Sequence, residues 1–251
     1  MAESKSFQDQ VIVVAGAASG IGMETARLIS SLGGSVIGID RSESGLGNLQ
    51  DQVSSPNLNT RIVDIADEAK LKTVITEIAS RFGGIHGLVN TAGIVGPTNI
   101  MAEQLSTAQI EETLRINLYG AIWMTQAVLP IMKRAKYGRI VHVSSIAGKE
   151  GNPGMTPYNV SKAALIGFVK GVAKEAATEG VTINAVAPAV IQTPMNADTG
   201  DETLKYMVSR IPMGRLGQAT EVAQLLAFIV SRECSFTTGF TFDASGGRAT
   251  Y

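Results

Sequence analysis

The chain has 251 residues, enough to bury a substantial core, and its 21 basic and 22 acidic side chains leave a formal charge of −1 at pH 7. With an isoelectric point near 6.2, that balance offers no basic surface for nucleic acid or anionic lipid. Cys234 is the one cysteine, which excludes an internal disulfide and a cysteine-rich metal site; charged residues make up 17 %, against about 25 % in ordinary globular proteins, which points to surface covered by other subunits.

Residues 1–10 are polar and carry no basic stretch followed by a long apolar run, so neither a signal peptide nor a membrane span is expected, and the cytoplasm is the simplest location. From there short β-branched runs alternate with longer amphipathic ones. Strands are expected at 11–15, 35–39, 61–64, 87–90, 139–144, 182–187 and 240–243, and helices at 22–32, 67–82, 107–133, 158–178 and 220–231. Several strands are apolar almost throughout, as in a parallel sheet covered on both faces. The β-α alternation predicts an α/β, doubly wound sheet of about seven parallel strands with right-handed crossovers and helices on both sides. No linker divides residues 1–251, so a single domain is expected; the exception to the alternation is 188–217, rich in Pro and Gly, which reads as a substrate lid.

Strand one runs into Gly16-Ala17-Ala18-Ser19-Gly20-Ile21-Gly22, which opens a helix. Glycines there let backbone approach a pyrophosphate, and the free N–H groups of the helix start, at Ser19, Gly20, Ile21 and Gly22, bind its charge. Asp40 ends the second strand roughly 20 residues on, where a carboxylate accepts from adenosine ribose hydroxyls and repels a 2′-phosphate. NAD(H) is therefore expected rather than NADP(H), although Arg41 beside it tolerates a phosphate. Near the start of a later helix, Tyr158 and Lys162 stand four residues apart, on one helical face. A cation so placed is expected to lower the phenol's pKa from roughly 10 toward the range useful for proton transfer.

The glycine turn, Asp40, Asn90-Thr91-Ala92-Gly93, Asn117, Ser144-Ser145 and Tyr158-x-x-x-Lys162 stand in that order on one α/β chain. Together they resemble the short-chain dehydrogenase/reductase family, in its single-domain branch, over residues 7–247. The resemblance implies that Tyr158 is the general acid/base, that Lys162 lowers its pKa and binds the nicotinamide ribose, and that Ser145 polarises the substrate oxygen. It implies that Asn117, at a helical irregularity, holds a water linking Lys162 to solvent. Asn90, Ala92 and Gly93 would support the sheet and the adenosine side, Asp64 and Ile65 the adenine, and Pro188, Ile191 and Thr193 the nicotinamide carboxamide. Three positions depart from the family pattern: Ala15 for Thr, which removes a hydroxyl that ties the first turn; Ala189 for Gly; and Thr91 for Asn.

His86, His142 and Cys234 read as structural, and no metal is expected. Lys149, in the loop after Ser145, is a candidate for meeting an anionic substrate, as are Arg215 and Arg248. In the family's common homotetramer the segment after Gly247 can lie beside a neighbouring site, so Arg248 or Tyr251 is expected to complete the substrate site of another protomer. The resemblance implies an NAD(H)-dependent oxidoreductase interconverting a secondary alcohol and a ketone, for example a 2-keto-3-deoxy sugar acid. The alternatives are a 3-oxoacyl-thioester reductase, a cyclic ketone reductase or, from another class, a non-catalytic dinucleotide-binding sensor.

Overall fold

A computed structural model describes residues 6–53, 55–196 and 199–251. β1 (Val11–Ala15), α1 (Gly20–Ser31), β2 (Ser35–Asp40), α2 (Glu43–Gln52), β3 (Leu58–Ile62), α3 (Glu68–Phe82) and β4 (Gly87–Asn90) form the first half. α4 (Thr107–Leu114) and α5 (Gly120–Ala135) follow, then β5 (Gly138–Val143), α6 (Ala147–Glu150), α7 (Thr156–Ala176) and β6 (Val181–Pro188). β7 (Ile191–Gln192), α8 (Asp201–Ser209), β8 (Gly217–Gln218), α9 (Ala219–Val230) and β9 (Thr241–Ala244) complete the chain. The main sheet is parallel and seven-stranded in the order β3-β2-β1-β4-β5-β6-β9, the doubly wound arrangement expected.

The sheet has a core on each face, which is why β1 is apolar at every position. Val11, Val13 and Ala15 pack with Leu71, Ile75 and Ile78 of α3, Met124 and Val128 of α5 and Val169 of α7. Ile12 and Val14 pack on the other side with Ala26 and Ile29 of α1, Leu46 and Leu49 of α2 and Leu226 of α9. Each fully buried aliphatic side chain contributes about 1.5–3 kcal/mol, so both faces are needed to hold a sheet this wide. Among the described residues, no helix is long and apolar enough to cross a membrane.

Four features differ from the sequence expectation. The third strand is Leu58–Ile62 rather than 61–64, because Leu58 pairs with Val36 and the ladder ends where Ile62 meets Asp40. The expected helix 107–133 is broken by a π-helical turn at Arg115–Tyr119. α2 lies in a stretch to which the sequence expectation gives no element. So does α8, within 188–217; of that stretch Ala197 and Asp198 lie outside the described residues.

Candidate functional site

Strand order reverses between β1 and β4, and the loops at the strands' carboxyl ends open a crevice there. A groove of about 300 Å³ runs along it, lined by Gly16, Ser19, Gly20, Ile21 and Gly22 of the glycine turn, Asp40 and Arg41 after β2, Asp64 and Ile65 after β3, Ala92 and Gly93 after β4, and Thr193 after β7. Thr91 of the Asn-Thr-Ala-Gly motif and Met195 share the wall, as do Val63, Ile94 and Ile116, which sequence reasoning missed because apolar residues next to a motif carry no signal of their own. Of the residues expected at a cofactor, Asn90, Tyr158, Lys162, Pro188 and Ile191 do not line this groove.

The turn is shaped for close approach. Gly16 has φ +79°, and a Cβ there would stand 2.5 Å from Thr91 Oγ1. At Gly22 a Cβ would fall 2.0 Å from the Gly16 carbonyl oxygen, so only glycine lets α1 begin where it does. Thr91 also donates its hydroxyl to the Ala15 carbonyl at 2.7 Å. The tie lost with Ala15 is thus supplied from the neighbouring strand, and two of the three departures from the family pattern offset each other. Asp40 accepts from Ala18 N at 3.2 Å and from Ser42 N at 2.9 Å, which holds its carboxylate at the groove. The first turn of α1 offers free N–H groups to the same space. Close-approach glycines, amide donors and a terminal carboxylate fit a dinucleotide.

Beyond the groove, the Ser145 hydroxyl lies on the side of the Tyr158 phenol and favours its ionised form. Ser145 Oγ accepts from Ala147 N at 3.1 Å, so its proton is free to point at the phenol oxygen. Lys162 is buried, donates to the Val143 carbonyl at 2.8 Å, and has Nζ 5.7 Å from the Tyr158 ring centre. A Cβ placed on Gly93 would be 3.4 Å from Lys162 Nζ, so the amine reaches the groove wall. Burial dominates the electrostatics: it raises the Tyr158 phenol, with the Ser145 hydroxyl pulling the other way, and lowers Lys162 to about 8. The lowering of Tyr158 expected from Lys162 is not found in the free protein: burial raises the phenol, and Ser145 is the group that opposes it.

Asn117 sits in the π-helical turn, where its Oδ1 accepts from Ile94 N at 2.8 Å and its Nδ2 donates to Ile94 O at 2.9 Å and Ser161 Oγ at 3.0 Å. It locks the loop segment after Gly93 to α7, the helix of Tyr158 and Lys162. Asn90 faces inward instead: its Oδ1 accepts from Ala92 N at 3.2 Å and its Nδ2 lies 3.2 Å from His142 Nδ1. Thr125 donates its hydroxyl to Ala121 O, so the bond between Thr125 Oγ1 and His142 Nε2 at 2.9 Å puts the imidazole proton on Nε2. Burial, then the Lys162 charge, lowers His142 to about 3 and keeps it neutral.

Pro188 accepts from Ile146 N at 2.9 Å, and Ile191, buried, borders a second cavity of about 240 Å³ with Met213 and Arg215. The cations expected for an anionic substrate are engaged within the chain. Lys149 pairs with Asp243 at 3.1 Å, Arg215 forks onto Glu221 at 2.9 and 2.7 Å, and Arg248 donates to Glu150 at 2.9 Å. Tyr251 donates its hydroxyl to the Lys149 carbonyl at 2.8 Å. Arg248 and Tyr251 are thus bonded to their own chain's loop.

The family model described as "Enoyl-(Acyl carrier protein) reductase" matches residues 16–249, from the glycine turn to Ala249. The chain is a short-chain dehydrogenase/reductase, and hence an oxidoreductase. Within that family it is 38 % identical over 245 residues to a 2-dehydro-3-deoxy-L-rhamnonate dehydrogenase (NAD(+)) of Sphingomonas sp. (strain SKA58), covering 98 % of this chain and 97 % of that one. It is 36 % identical over 243 residues to the 3-oxoacyl-[acyl-carrier-protein] reductase of Thermotoga maritima, covering 96 % and 98 %. Among solved short-chain dehydrogenase/reductase structures, that of levodione reductase superposes with a TM-score of 0.92 at 29 % identity, over 98 % of this chain and 100 % of that one.

Proposed function

We propose that this oxidoreductase interconverts a secondary alcohol and a ketone with NAD(H), with Tyr158 as the group that gives or takes the proton. The observation that carries the reading is the placement of Lys162, whose amine lies 5.7 Å from the Tyr158 ring centre and reaches the groove wall at Gly93. Ser145, with its proton unclaimed by the protein backbone, and Tyr158 together bind a carbonyl oxygen, which orients it and excludes water. Tyr158 Oη then donates its proton as the oxygen gains charge, or accepts it in the oxidation direction. Lys162, held by the Val143 carbonyl, stabilises the phenolate left behind. Asn117 fixes the distance between the helix of Tyr158 and the groove. Gly16, Ser19, Gly20, Ile21 and Gly22 would hold the pyrophosphate, Asp40 and Arg41 the adenosine ribose, Asp64 and Ile65 the adenine, Ala92 and Gly93 the adenosine side, and Thr193 the nicotinamide end. NAD(H), when bound, supplies or accepts the hydride.

NAD(H) over NADP(H) is supported by the fixed Asp40 carboxylate and by the NAD(+)-linked relative. That relative also supports a 2-dehydro-3-deoxy sugar acid as substrate. A second reading, a neutral cyclic ketone, is favoured by the internal pairing of Lys149, Arg215 and Arg248, which leaves these three cations committed before a carboxylate arrives. We further assign residues 188–217 as a substrate lid on one catalytic domain, and a cytoplasmic homotetramer as the working assembly. NAD⁺ reduction and NADH oxidation, followed spectrophotometrically with 2-dehydro-3-deoxy-L-rhamnonate, acetoacetyl-CoA and cyclic diketones, test the reading. Turnover with one class supports it, and silence across all of them despite NADH binding favours a dinucleotide sensor.

A further inference from the structure

Residues 245–251 run between the loop that follows Ser145 and the carboxyl end of the segment assigned as a lid. On the loop side, Arg248 Nε donates to Glu150 at 2.9 Å and its Nη2 to Asn152 Oδ1 at 3.1 Å, while Tyr251 bonds the Lys149 carbonyl and its ring lies 4.8 Å under Lys149 Nζ. On the lid side, Met213 N donates to the Gly246 carbonyl at 3.1 Å, and a Cβ on Gly246 would stand 2.7 Å from Ile211 Cγ2. Arg210, at the end of α8, reaches the same Glu150 carboxylate at 3.9 Å.

The Arg248 side chain is only 8 % exposed, so its charge has given up water and depends on Glu150 and Asn152 for compensation. That separates it from exposed ion pairs, which contribute little. Both partners lead back to the reacting groups. Glu150 closes α6, which starts two residues beyond Ser145 and includes the Ala147 amide that binds Ser145 Oγ. Asn152 exchanges two bonds with Asn159, the neighbour of Tyr158: its N donates to Asn159 Oδ1 at 3.1 Å, and its carbonyl accepts from Asn159 Nδ2 at 2.8 Å.

We propose that residues 245–251 form an intramolecular strap joining the loop at 146–152 to the base of the lid, with Arg248 as the positioning residue that sets Ser145 and Tyr158 through Glu150 and Asn152. The catalytic part of this statement rests on the function proposed above, and the strap itself does not. Hydrogen exchange of the free full-length protein reads the strap directly, because the amides of Lys149, Glu150 and Gly151 are bonded within this loop and that of Asn152 to Asn159 of α7. In Arg248→Met, peptides covering 146–155 are expected to exchange about tenfold faster or more, the loss expected for one covered charge-assisted bond. Peptides of the glycine turn should be unchanged and the NADH dissociation constant should stay within about twofold of wild type.

With whichever of the three probes the wild type turns over, by NADH oxidation or NAD⁺ reduction, KM should rise and kcat fall. Glu150→Gln, which keeps an acceptor for Arg248, should show a smaller version of both effects and serves if Arg248→Met does not fold. Arg210→Met, at an exposed and longer contact, should change loop exchange least. Unchanged exchange at 146–155, or an equal rise across the whole chain, overturns the strap. Local acceleration in a protein that turns over no carbonyl leaves the strap standing and removes the proposed function instead.

Discussion

At the carboxyl end of β2, both oxygens of Asp40 accept backbone N–H groups, so its charge is held at the groove rather than swinging into solvent. A fixed carboxylate repels a 2′-phosphate in a way that a mobile one does not. Asp40→Ala should shift the ratio of NAD(H) to NADP(H) efficiency toward NADP(H) by about tenfold or more, equivalent to about 1.4 kcal/mol. Kinetics with both cofactors check it, and an unaltered ratio would mean that Asp40 does not meet the ribose. Thr91 is the companion case. Thr91→Val keeps the shape but removes the hydroxyl given to Ala15, and should cost about 1 kcal/mol in chemical denaturation while weakening NADH binding several-fold. Stability and binding both equal to wild type would show that the hydroxyl does not tie the turn. Asp40 and the glycine spacing were legible in the sequence because they obey a local rule. The compensation between Ala15 and Thr91 was not, since the two residues are 76 positions apart.

Elements show where one-dimensional patterns run out. Gly45 and Gly47 lower helix propensity enough to hide α2, yet a Cβ on Gly45 would stand 2.6 Å from that of Ala18, so the glycine lets α2 lie against the glycine turn. Ser42 caps this helix by accepting from Gly45 N at 3.1 Å. The break between α4 and α5 left no mark on the periodicity, because a π-helical turn shifts the apolar stripe without interrupting it; the resemblance alone implied an irregularity at Asn117. The link between β4, β5 and α5 through Asn90, His142 and Thr125 has a pH signature. His142 titrates near 6.5 when unfolded and about 3 when folded, so between those values the unfolded chain binds the extra proton. Stability should therefore fall as pH drops through that window, by about 2–3 kcal/mol at pH 4.5 from this group. Urea denaturation of wild type and His142→Asn at pH 7 and 4.5 measures it: the variant should start lower and lose less. Parallel losses in the two proteins would contradict the assignment.

For the molecule as a whole, a doubly wound parallel sheet followed from β-α alternation and crossover handedness, and the main sheet has the seven strands expected. The packing of residues 245–251 could not be read that way, because Arg248 and Glu150 meet across 98 positions with no periodic signal. The low charge content has a counterpart in exposed apolar residues: Tyr119, Val160, Phe228 and Phe240 all lie on the surface. If those surfaces hold four copies together, light scattering should return a four-chain mass, and Phe228→Glu should lower it; a wild-type monomer would remove the homotetramer. The central claim is that the Tyr158 phenol carries the proton beside a dinucleotide groove. Steady-state turnover of Tyr158→Phe, with NADH binding measured on the same preparation, tests it most directly. Turnover should fall by about 10²–10⁴-fold with the NADH dissociation constant little changed, whereas turnover close to wild type would contradict the account.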